Sequence, residues 1–576
     1  MWYNNLMYEK NLEHIQRHYP ELSAALKNID ISGRVEFFLS RDGISTVSID
    51  RRTVYSRYHP LEGVRLSIEK SISADALNVI VMGFGLGYAV RELLNCELLR
   101  RKIYVIEPDL NVFKSIITET DISDLLSNPS VRFIVGRTPM EVFNDLSRDA
   151  LCFCLKAPQV YISDAYAHIY RDYFAQLKPV IKDAYMTASS RIRDICVTGK
   201  ALMSNSLLNL SIYLGSCGVK NFFNVLQGRP VFIVSAGPSL DKNIIELKKA
   251  RSRGVIFCVD TAVGALAKYD IKPHFIVTGD YRDKARCFDK MPWADVPLLF
   301  HIETSPATIT AYPGPRIAVA SANPLPQLID NMAGGRGRVE IGQCVAHLAF
   351  NVSVAMGAGL IVFVGQDYAF GSNTGYAAGT GREDVKDGRR CKINSLYDGS
   401  QLETKEEFYI YLRYIEERLS RLKVNAVNAT EGGAGIRGCI QKDLALVIEE
   451  LPQLSDGEIE IKDIVDVRAA ACEDYDDNVI RGLLHELKNK IEAVISGVKE
   501  LLNRDDRSQD DFTGFIEENR ELLKLIHAYI MLPAAKVRAG MLRSKQERDT
   551  EFYVSVLSGL EDLNKILVLV MNNNML

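Results

Sequence analysis

The sequence predicts an α/β protein with two domains built on mostly parallel sheets, followed by a C-terminal α-helical bundle. Apolar strands alternate with amphipathic helices in residues 1–215 and again in residues 216–440, and such alternation is typical of parallel sheets. In residues 441–576 the apolar positions keep only helical spacing. A chain of 576 residues is also too long for one hydrophobic core, so we expect these three ranges to be separate domains.

The composition is that of a soluble globular protein. Its 69 basic and 73 acidic side chains nearly balance, so no charge excess indicates a nucleic acid or anionic membrane partner. No apolar stretch approaches the roughly 18 residues of a membrane span, and no export signal opens the chain. The eleven cysteines form no CxxC pair, which favours reduced thiols over disulfides or zinc. We expect a cytoplasmic protein with no integral membrane segment and no structural metal.

The first domain is predicted to begin with a helix over residues 8–26 and a short β-rich piece, GRVEFFLSRDGISTVSID. Next, an apolar strand precedes Gly83, Gly85 and Gly87, and the strand after it ends at Glu107. This is the layout of a Rossmann-like unit, in which glycines admit a ligand and the acidic residue binds a ribose hydroxyl. It is similar to the methyltransferase version, but a tight turn without a ligand stays equally open.

The second domain opens with the strand VFIV and a glycine-containing turn. The turn SAGPSL contains Ser235, Gly237, Pro238 and Ser239 and precedes the amphipathic segment DKNIIELKKARS. A helix that starts directly after a strand offers unpaired amides to an anion. Gly237 would allow close approach, and Ser239 could cap the helix or bind a phosphate oxygen. The turn is therefore a predicted phosphate-binding site.

Three further strands of this domain end in polar residues, which are Asp260 and Thr261, then Gly279 and Asp280, then Gln366 and Asp367. The carboxyl ends of parallel strands share one edge, so the four turns should converge on one crevice. Asp260 suits a ribose or a base amine, and Asp280 suits sugar hydroxyls, proton transfer or a metal. GDYRD lacks the DxD spacing of metal-dependent glycosyltransferases, so a divalent metal stays open. The alternative is that the aspartates only cap helices.

Two later segments are expected to close over this crevice. The loop NATEGGAGI contains Asn428, Thr430, Glu431, Gly432 and Gly433, and such glycine-rich loops let backbone amides meet a ligand. The polar stretch GSNTGYAAGTGREDVKDGRR has no helical periodicity and suits a mobile lid.

The third domain is predicted to be helical because its apolar residues recur at steps of three and four. In the clearest segment they are Leu484, Leu487, Ile491, Val494, Val498 and Leu501. Scaffolding, dimerisation and a groove for a helical protein partner are all compatible with this pattern.

The chain resembles the motility-associated factor family of bacterial flagellin glycosyltransferases. The matching pieces run in the family's order: EKNLEHIQRHYPEL, YSRYHPLEGVRL, VMGFGLGY, SAGPSLDKN, IKPHFIVTGD, GQDYAF and NATEGGAGI. The resemblance implies a cytoplasmic enzyme that transfers a nonulosonic acid, pseudaminic or legionaminic acid, from its CMP-activated form to serine or threonine of flagellin. It also implies a nucleotide sugar and flagellin as partners. The helical domain is one candidate site for flagellin, beside its scaffolding and dimerisation alternatives.

The second domain is similar to the CMP-sialic acid-dependent sialyltransferases. That similarity implies that Gly237, Pro238 and Ser239 contact the CMP phosphate and ribose, and that Asp260 and Thr261 lie near the cytidine. Tyr368 and Tyr376 would correspond to two tyrosines that stabilise the departing phosphate. The histidine base of those enzymes has no counterpart, since residues 371–430 contain no histidine. The base is therefore open among His274, His301, Asp280 and Glu431.

Two alternatives remain. The second domain has a weaker likeness to archaeal-type hydroxymethylpterin pyrophosphokinases, which use ATP and magnesium. A flagellin-binding chaperone with a vestigial nucleotide fold is the non-enzymatic alternative.

Overall fold

Parallel sheets and long helices make up the computed structural model of the chain. It describes residues 2–27, 29, 31, 33–95, 102–147, 155–332, 334–371, 375–380, 390–453, 477–504, 509–526, 529–530, 533 and 545–572.

The helices are α1 Trp2–His18, α2 Pro20–Lys27, α3 Pro60–Ser71, α4 Tyr88–Leu94, α5 Leu110–Glu119, α6 Ser123–Leu126, α7 Pro139–Ser147, α8 Asp164–Ile169, α9 Arg171–Leu208, α10 Leu210–Leu214, α11 Leu240–Asn243, α12 Leu247–Ala250, α13 Val263–Lys268, α14 Pro306–Ala311, α15 Pro324–Met332, α16 Val345–Ala355, α17 Glu406–Leu422, α18 Leu444–Glu450, α19 Asp477–Leu502, α20 Gln509–Glu518, α21 Arg520–Leu525 and α22 Lys545–Asn572. The strands are β1 Val35–Leu39, β2 Ser45–Ile49, β3 Arg52–Thr53, β4 Asn78–Met82, β5 Lys102–Glu107, β6 Val131–Val135, β7 Gln159–Ile162, β8 Cys217–Gly218, β9 Pro230–Val234, β10 Val255–Val259, β11 Phe275–Thr278, β12 Leu298–His301, β13 Arg316–Val319, β14 Leu360–Val364, β15 Arg390–Asn394, β16 Gln401–Lys405, β17 Ala426–Asn428 and β18 Ile440–Gln441.

The chain forms two compact units. The first contains residues 1–197 and 528–555, and the second contains residues 198–527 and 556–576. The three domains expected from the sequence, with limits at residues 215 and 440, are a different division and stay a prediction.

The first unit has a four-stranded parallel sheet in the order β6-β5-β4-β7 and a small antiparallel sheet, β1-β2-β3. The apolar strand β4 is buried along its whole length, as expected for a strand covered on both faces. The single helix predicted over residues 8–26 is two helices, α1 and α2. Pro20 begins the second one, where a residue without an amide hydrogen costs no helical hydrogen bond.

The second unit is built on a nine-stranded parallel sheet in the order β18-β17-β14-β9-β10-β11-β12-β13-β8. Successive residues of each strand face opposite sides, so Ile233 packs in one core and Val234 in the other. Both units thus confirm the predicted α/β class with parallel sheets.

The described residues from 477 onward are mainly helical, as the spacing predicted. In α19 the side chains of Leu484, Ile491 and Val498 are buried, which is a seven-residue step along one face. Within the described residues, every helix is too short or too polar to span a bilayer.

Candidate functional site

The strand order of the second unit creates a topological switch point between β9 and β14. The chain leaves β9 toward β10 and continues outward to β13, whereas β14 returns to the opposite side of β9 and continues to β17. Loops that leave neighbouring strands in opposite directions open a crevice at the carboxyl ends of those strands, and ligands of open parallel sheets bind there. The SAGPSL and GQDYAF segments both begin at this point.

The structure joins three of the predicted loops at the switch point. Ser235 Oγ donates a hydrogen bond to the side-chain oxygen Oε1 of Gln366 at 2.6 Å. The backbone amide of Gln366 donates to Thr430 Oγ1 at 3.0 Å. The Gly237 amide donates to the Gly365 carbonyl at 2.9 Å. The loops that follow β9, β14 and β17 therefore form one connected cluster of buried polar groups.

Asp367 occupies the turn in which a phosphate was expected. The Ser239 amide lies 3.3 and 3.2 Å from the two carboxylate oxygens of Asp367, and Ser239 Oγ donates to the same carboxylate. Burial raises the pKa of Asp367 to about 6, although the Ser239 hydrogen bonds and the charge of Lys242 lower it. The anion at this turn is thus a side chain of the protein.

Two further backbone amides of the turn also have partners inside the protein. The Ser235 amide donates to the Val364 carbonyl at 2.9 Å, and the Leu240 amide donates to the Gly237 carbonyl at 3.0 Å. The expected amphipathic helix is also interrupted, because a 3₁₀ turn at Ile244–Glu246 separates α11 from α12. The expectation of a long helix with free N-terminal amides is therefore wrong, and a phosphate here would depend on side chains.

The loop after β17 packs directly on this turn. A Cβ atom on Gly432 would lie 2.1 Å from Ser239 Oγ, and one on Gly433 would lie 2.2 Å from the Asp367 carbonyl oxygen. The two glycines are therefore required for the contact between the loops. Asn428 is buried and donates to Tyr397 Oη at 3.0 Å and to Gln441 Oε1 at 2.7 Å.

Glu431, a candidate base, anchors the loop to two other elements. Its Oε1 atom accepts hydrogen bonds from Asn243 Nδ2 and from the Leu444 amide, both at 2.9 Å. Its backbone has a φ of +60°, which is rare for a residue other than glycine. These contacts are those of a residue that fixes the loop onto α11 and α18.

The two candidate tyrosines contact opposite faces of the sheet. Tyr368 has a φ of +52°, packs in the core with Phe363, and has a buried hydroxyl with no hydrogen-bond partner among the described residues. Tyr376 packs against the core of the other face. The neighbouring Ala377 amide donates to the Ala236 carbonyl at 2.9 Å, which brings residues 375–380 of the expected lid onto the turn. The rest of that lid lies mostly outside the described residues.

A second polar group lies at the ends of β10 and β11. Asp260 is buried and accepts hydrogen bonds from Thr278 Oγ1 at 2.8 Å and from the Thr261 amide at 2.6 Å. Burial and the charge of Asp280 raise the pKa of Asp260, while these hydrogen bonds lower it. Both carboxylate oxygens of Asp260 thus have donors within the protein.

The Asp280 carboxylate forms ion pairs with two basic side chains. Arg282 Nε lies 3.1 Å from Oδ1 and Lys284 Nζ lies 3.1 Å from Oδ2. Burial raises the pKa of Asp280, but the hydrogen bonds from Arg282 and the charges of Lys284 and Arg282 outweigh it, so the pKa is lowered. A base role for Asp280 required a raised pKa, and that requirement is not met.

The two histidines considered as candidate bases have structural partners. His274 accepts a hydrogen bond from the Ile256 amide at 2.8 Å, and burial lowers its pKa to about 3. His301 Nε2 lies 2.9 Å from the Gly279 carbonyl, and its Nδ1 atom lies 3.6 Å from a buried carboxylate oxygen of Glu303. His301 therefore supports the turn that carries Gly279 and Asp280.

The basic side chains at this edge were not predicted from the sequence. Lys242 donates to the Glu431 carbonyl at 2.9 Å beside the turn, and Arg282 and Lys284 hold Asp280. The spacing GDYRDK already contained Arg282 and Lys284, two and four residues after Asp280. In the described part of the chain, no group of three or more His, Cys, Asp or Glu side chains could hold a metal, and none of the cysteines there forms a disulfide.

The glycine-rich turn of the first unit is filled by two tyrosines of that unit. A Cβ atom on Gly83 would lie 2.2 Å from the Tyr166 ring, and one on Gly85 would lie 2.2 Å from Tyr55 Oη. The Gly85 amide donates to Tyr166 Oη at 3.1 Å, and the Leu86 amide donates to Tyr55 Oη at 2.7 Å. Internal packing is thus sufficient to explain the glycines.

Glu107, the expected ribose ligand, is also enclosed. Its Oε2 atom accepts hydrogen bonds from Tyr166 Oη at 2.8 Å and from the Phe84 amide at 3.0 Å. Its side chain is fully buried. Of the two interpretations that the sequence left open, these contacts favour the turn without a ligand.

Comparisons with known proteins bear on the whole chain and on its centre. A family model described as 6-hydroxymethylpterin diphosphokinase MptE-like matches residues 204–373. None of the curated proteins matches the chain. A solved Maf glycosyltransferase structure from Magnetospirillum magneticum AMB-1 superposes with a TM-score of 0.54 at 14% sequence identity, covering 99% of this chain and 97% of that one. The chain therefore has the fold of a Maf glycosyltransferase over nearly its entire length.

Proposed function

We propose that this protein is a glycosyltransferase that moves a nonulosonic acid from its CMP-activated donor to serine or threonine of flagellin. The observation that carries the proposal is the likeness to a Maf glycosyltransferase over 99% of the chain. The polar cluster at the switch point supports it, because ligands of open parallel sheets bind at that position.

In the proposed reaction, the bond between the anomeric carbon and the CMP phosphate breaks while a bond to the acceptor oxygen forms. The hydroxyl proton leaves to a base, and CMP leaves with its electron pair. Lys242, Arg282 and Lys284 are the side chains that would offset the negative charge of the donor. Tyr376 would assist the leaving phosphate, and its position next to Ala377, which contacts the turn, supports that role. A charge-delocalised sugar makes little demand on the base.

A second candidate is a pyrophosphokinase that transfers diphosphate from ATP to a hydroxymethylpterin. The match of residues 204–373 to the diphosphokinase model favours it. That match ends before the 428–433 loop, which completes the polar cluster at the switch point. The glycosyltransferase proposal accounts for that loop as well.

Nucleotide binding separates the two candidates. We expect CMP, titrated by calorimetry, to bind saturably, and ATP and S-adenosylmethionine not to bind. Lys242→Gln should lower the affinity for CMP about 3- to 10-fold, because it removes a positive charge beside the SAGPSL turn. Lys248→Gln, at an exposed position of α12, is the matched control and should bind normally. Saturable ATP binding without CMP binding would favour the pyrophosphokinase, and no nucleotide binding would favour the chaperone.

The acceptor can be tested by mass spectrometry of flagellin from cells with and without this protein. We expect the loss of a nonulosonic acid mass from flagellin serine or threonine residues in cells that lack it. An unchanged flagellin mass would rule out the proposed acceptor and leave the nucleotide result intact.

A further inference from the structure

We infer that Arg282, held by Asp280, binds the carboxylate of the donor sugar and so makes the site selective for donors that carry a carboxylate beside the anomeric carbon. This inference rests on the proposed function, since nonulosonic acids carry such a carboxylate and most nucleotide-activated sugars do not. It assigns Asp280 a positioning role in place of the base role.

The guanidinium of Arg282 has one edge bound and one edge free. Arg282 Nε lies 3.1 Å from Asp280 Oδ1, and Nη2 lies 3.4 Å from Oδ2. The Nη1 atom has no hydrogen-bond partner in the described part of the chain, and the side chain is 67% exposed. Because a guanidinium has five N–H groups in a fixed plane, the Nη1 and Nη2 edge can bind a second planar carboxylate through two parallel hydrogen bonds.

The turn that carries Arg282 is fixed from several sides. Asn205 Nδ2 donates to the Tyr281 carbonyl at 3.0 Å, and the Ser305 amide donates to the Asp280 carbonyl at 3.0 Å. The Lys284 amide donates to Thr308 Oγ1 at 2.7 Å. A guanidinium held in place before a ligand arrives loses less conformational freedom on binding, which increases its contribution to affinity.

The charges near Arg282 are paired in a way that leaves its outer edge available. Lys284 is only 14% exposed and shares the Asp280 carboxylate with Arg282. Asp283 is directed to the Ala285 amide at 2.8 Å, and no ion pair joins it to Arg282 among the described residues. Arg282 is thus bound to one carboxylate and retains donors for another.

The position of Arg282 also fits a donor with two anionic groups. It follows β11, which is two strands from β9 in the sheet, and two strand spacings amount to about 10 Å. The CMP-activated sugar has a phosphate on its anomeric carbon and a carboxylate one bond from that carbon. With the phosphate near the SAGPSL turn, both groups would lie between the ends of β9 and β11.

The test compares two probes, CMP and CMP-N-acetylneuraminic acid, by calorimetry on the full chain. We expect the wild-type protein to bind the sugar nucleotide more tightly than CMP. Arg282→Gln should lower the affinity for CMP-N-acetylneuraminic acid about 10- to 100-fold, because a charge-assisted hydrogen-bonded pair is lost. The same variant should change the affinity for CMP less than about threefold. Asp280→Asn should also lower the affinity for CMP-N-acetylneuraminic acid more than that for CMP, but by a smaller factor. The substitution removes the carboxylate that holds the Arg282 guanidinium in place.

Arg286→Gln is the matched control, since it removes the same charge from an exposed side chain four residues away. It should leave both affinities unchanged. Equal losses for the two probes in Arg282→Gln, no loss for either, or a wild-type protein without preference for the sugar nucleotide would each overturn the inference. Absence of CMP binding to the wild type would instead contradict the proposed function.

Discussion

Gly237→Ala is expected to abolish CMP binding, with a loss of at least about 100-fold in affinity. A Cβ atom at this position would lie 2.0 Å from Asp367 Oδ2 and 2.5 Å from the Gly365 carbonyl oxygen. The carbonyl cannot retreat, because β14 and β9 pair along their length and the Gly237 amide donates to that same carbonyl. The substitution therefore separates the loops after β9 and β14, which together form the switch point.

The measurement is calorimetric titration with CMP, accompanied by circular dichroism to verify that the sheets remain folded. Gly497→Ala is the control, because a Cβ atom at Gly497 would meet no atom within 4 Å and alanine favours the helix in which Gly497 lies. Wild-type CMP affinity in a folded Gly237→Ala protein would show that the ligand does not use this turn.

The sequence was sufficient to predict that the loops after β9, β10, β11 and β14 leave one edge of a parallel sheet. The hydrogen bonds at the switch point, however, join the loops after β9, β14 and β17. Strand ends at Asp260, Asp280 and Gln366 could be placed on one edge because parallel strands share their direction, and the structure has all of them in one parallel sheet. The sequence could not predict the hydrogen-bond partner of each polar group. Ser239 and Asp367 are 128 residues apart, so no local pattern indicates that a carboxylate fills the turn.

The same limitation explains why the glycine turn of the first unit was considered a ligand site. A glycine triplet followed by an acidic residue is the pattern of a ligand site, yet Tyr55 and Tyr166 fill the space that the glycines leave. Tyr166 lies 81 residues after Gly85, and no local sequence pattern indicates that its ring packs against the glycine turn. The pattern of glycines thus predicts a space beside the backbone, whereas tertiary packing decides what occupies it.

We expect the free energy of unfolding of the first unit to fall by about 3 kcal/mol as the pH rises from about 4.5 to 7, owing to Glu107. Burial raises the pKa of Glu107 to about 7, although the Phe84 amide, Tyr166 Oη and the Asp109 amide donate to it. The folded protein therefore retains a proton that the unfolded chain releases near pH 4.5. Stability is greatest below that pH, falls as the pH rises through this window, and is constant above it.

The contribution of Glu107 can be isolated by comparison with Glu107→Gln, because other titrating groups cancel in the difference between the two proteins. Asp121, whose pKa is lowered to about 2 by its hydrogen bonds to Lys10 and Ser123 in spite of burial, acts only below this window. Urea unfolding at pH 5 and pH 8, read by hydrogen exchange of residues 78–94, should show the decrease in the wild-type protein and in the exposed control Glu62→Gln. Glu107→Gln should lack it, since its side chain is neutral at both pH values. A wild-type slope retained in Glu107→Gln would mean that Glu107 is charged in the folded protein throughout, and that its three donors outweigh its burial.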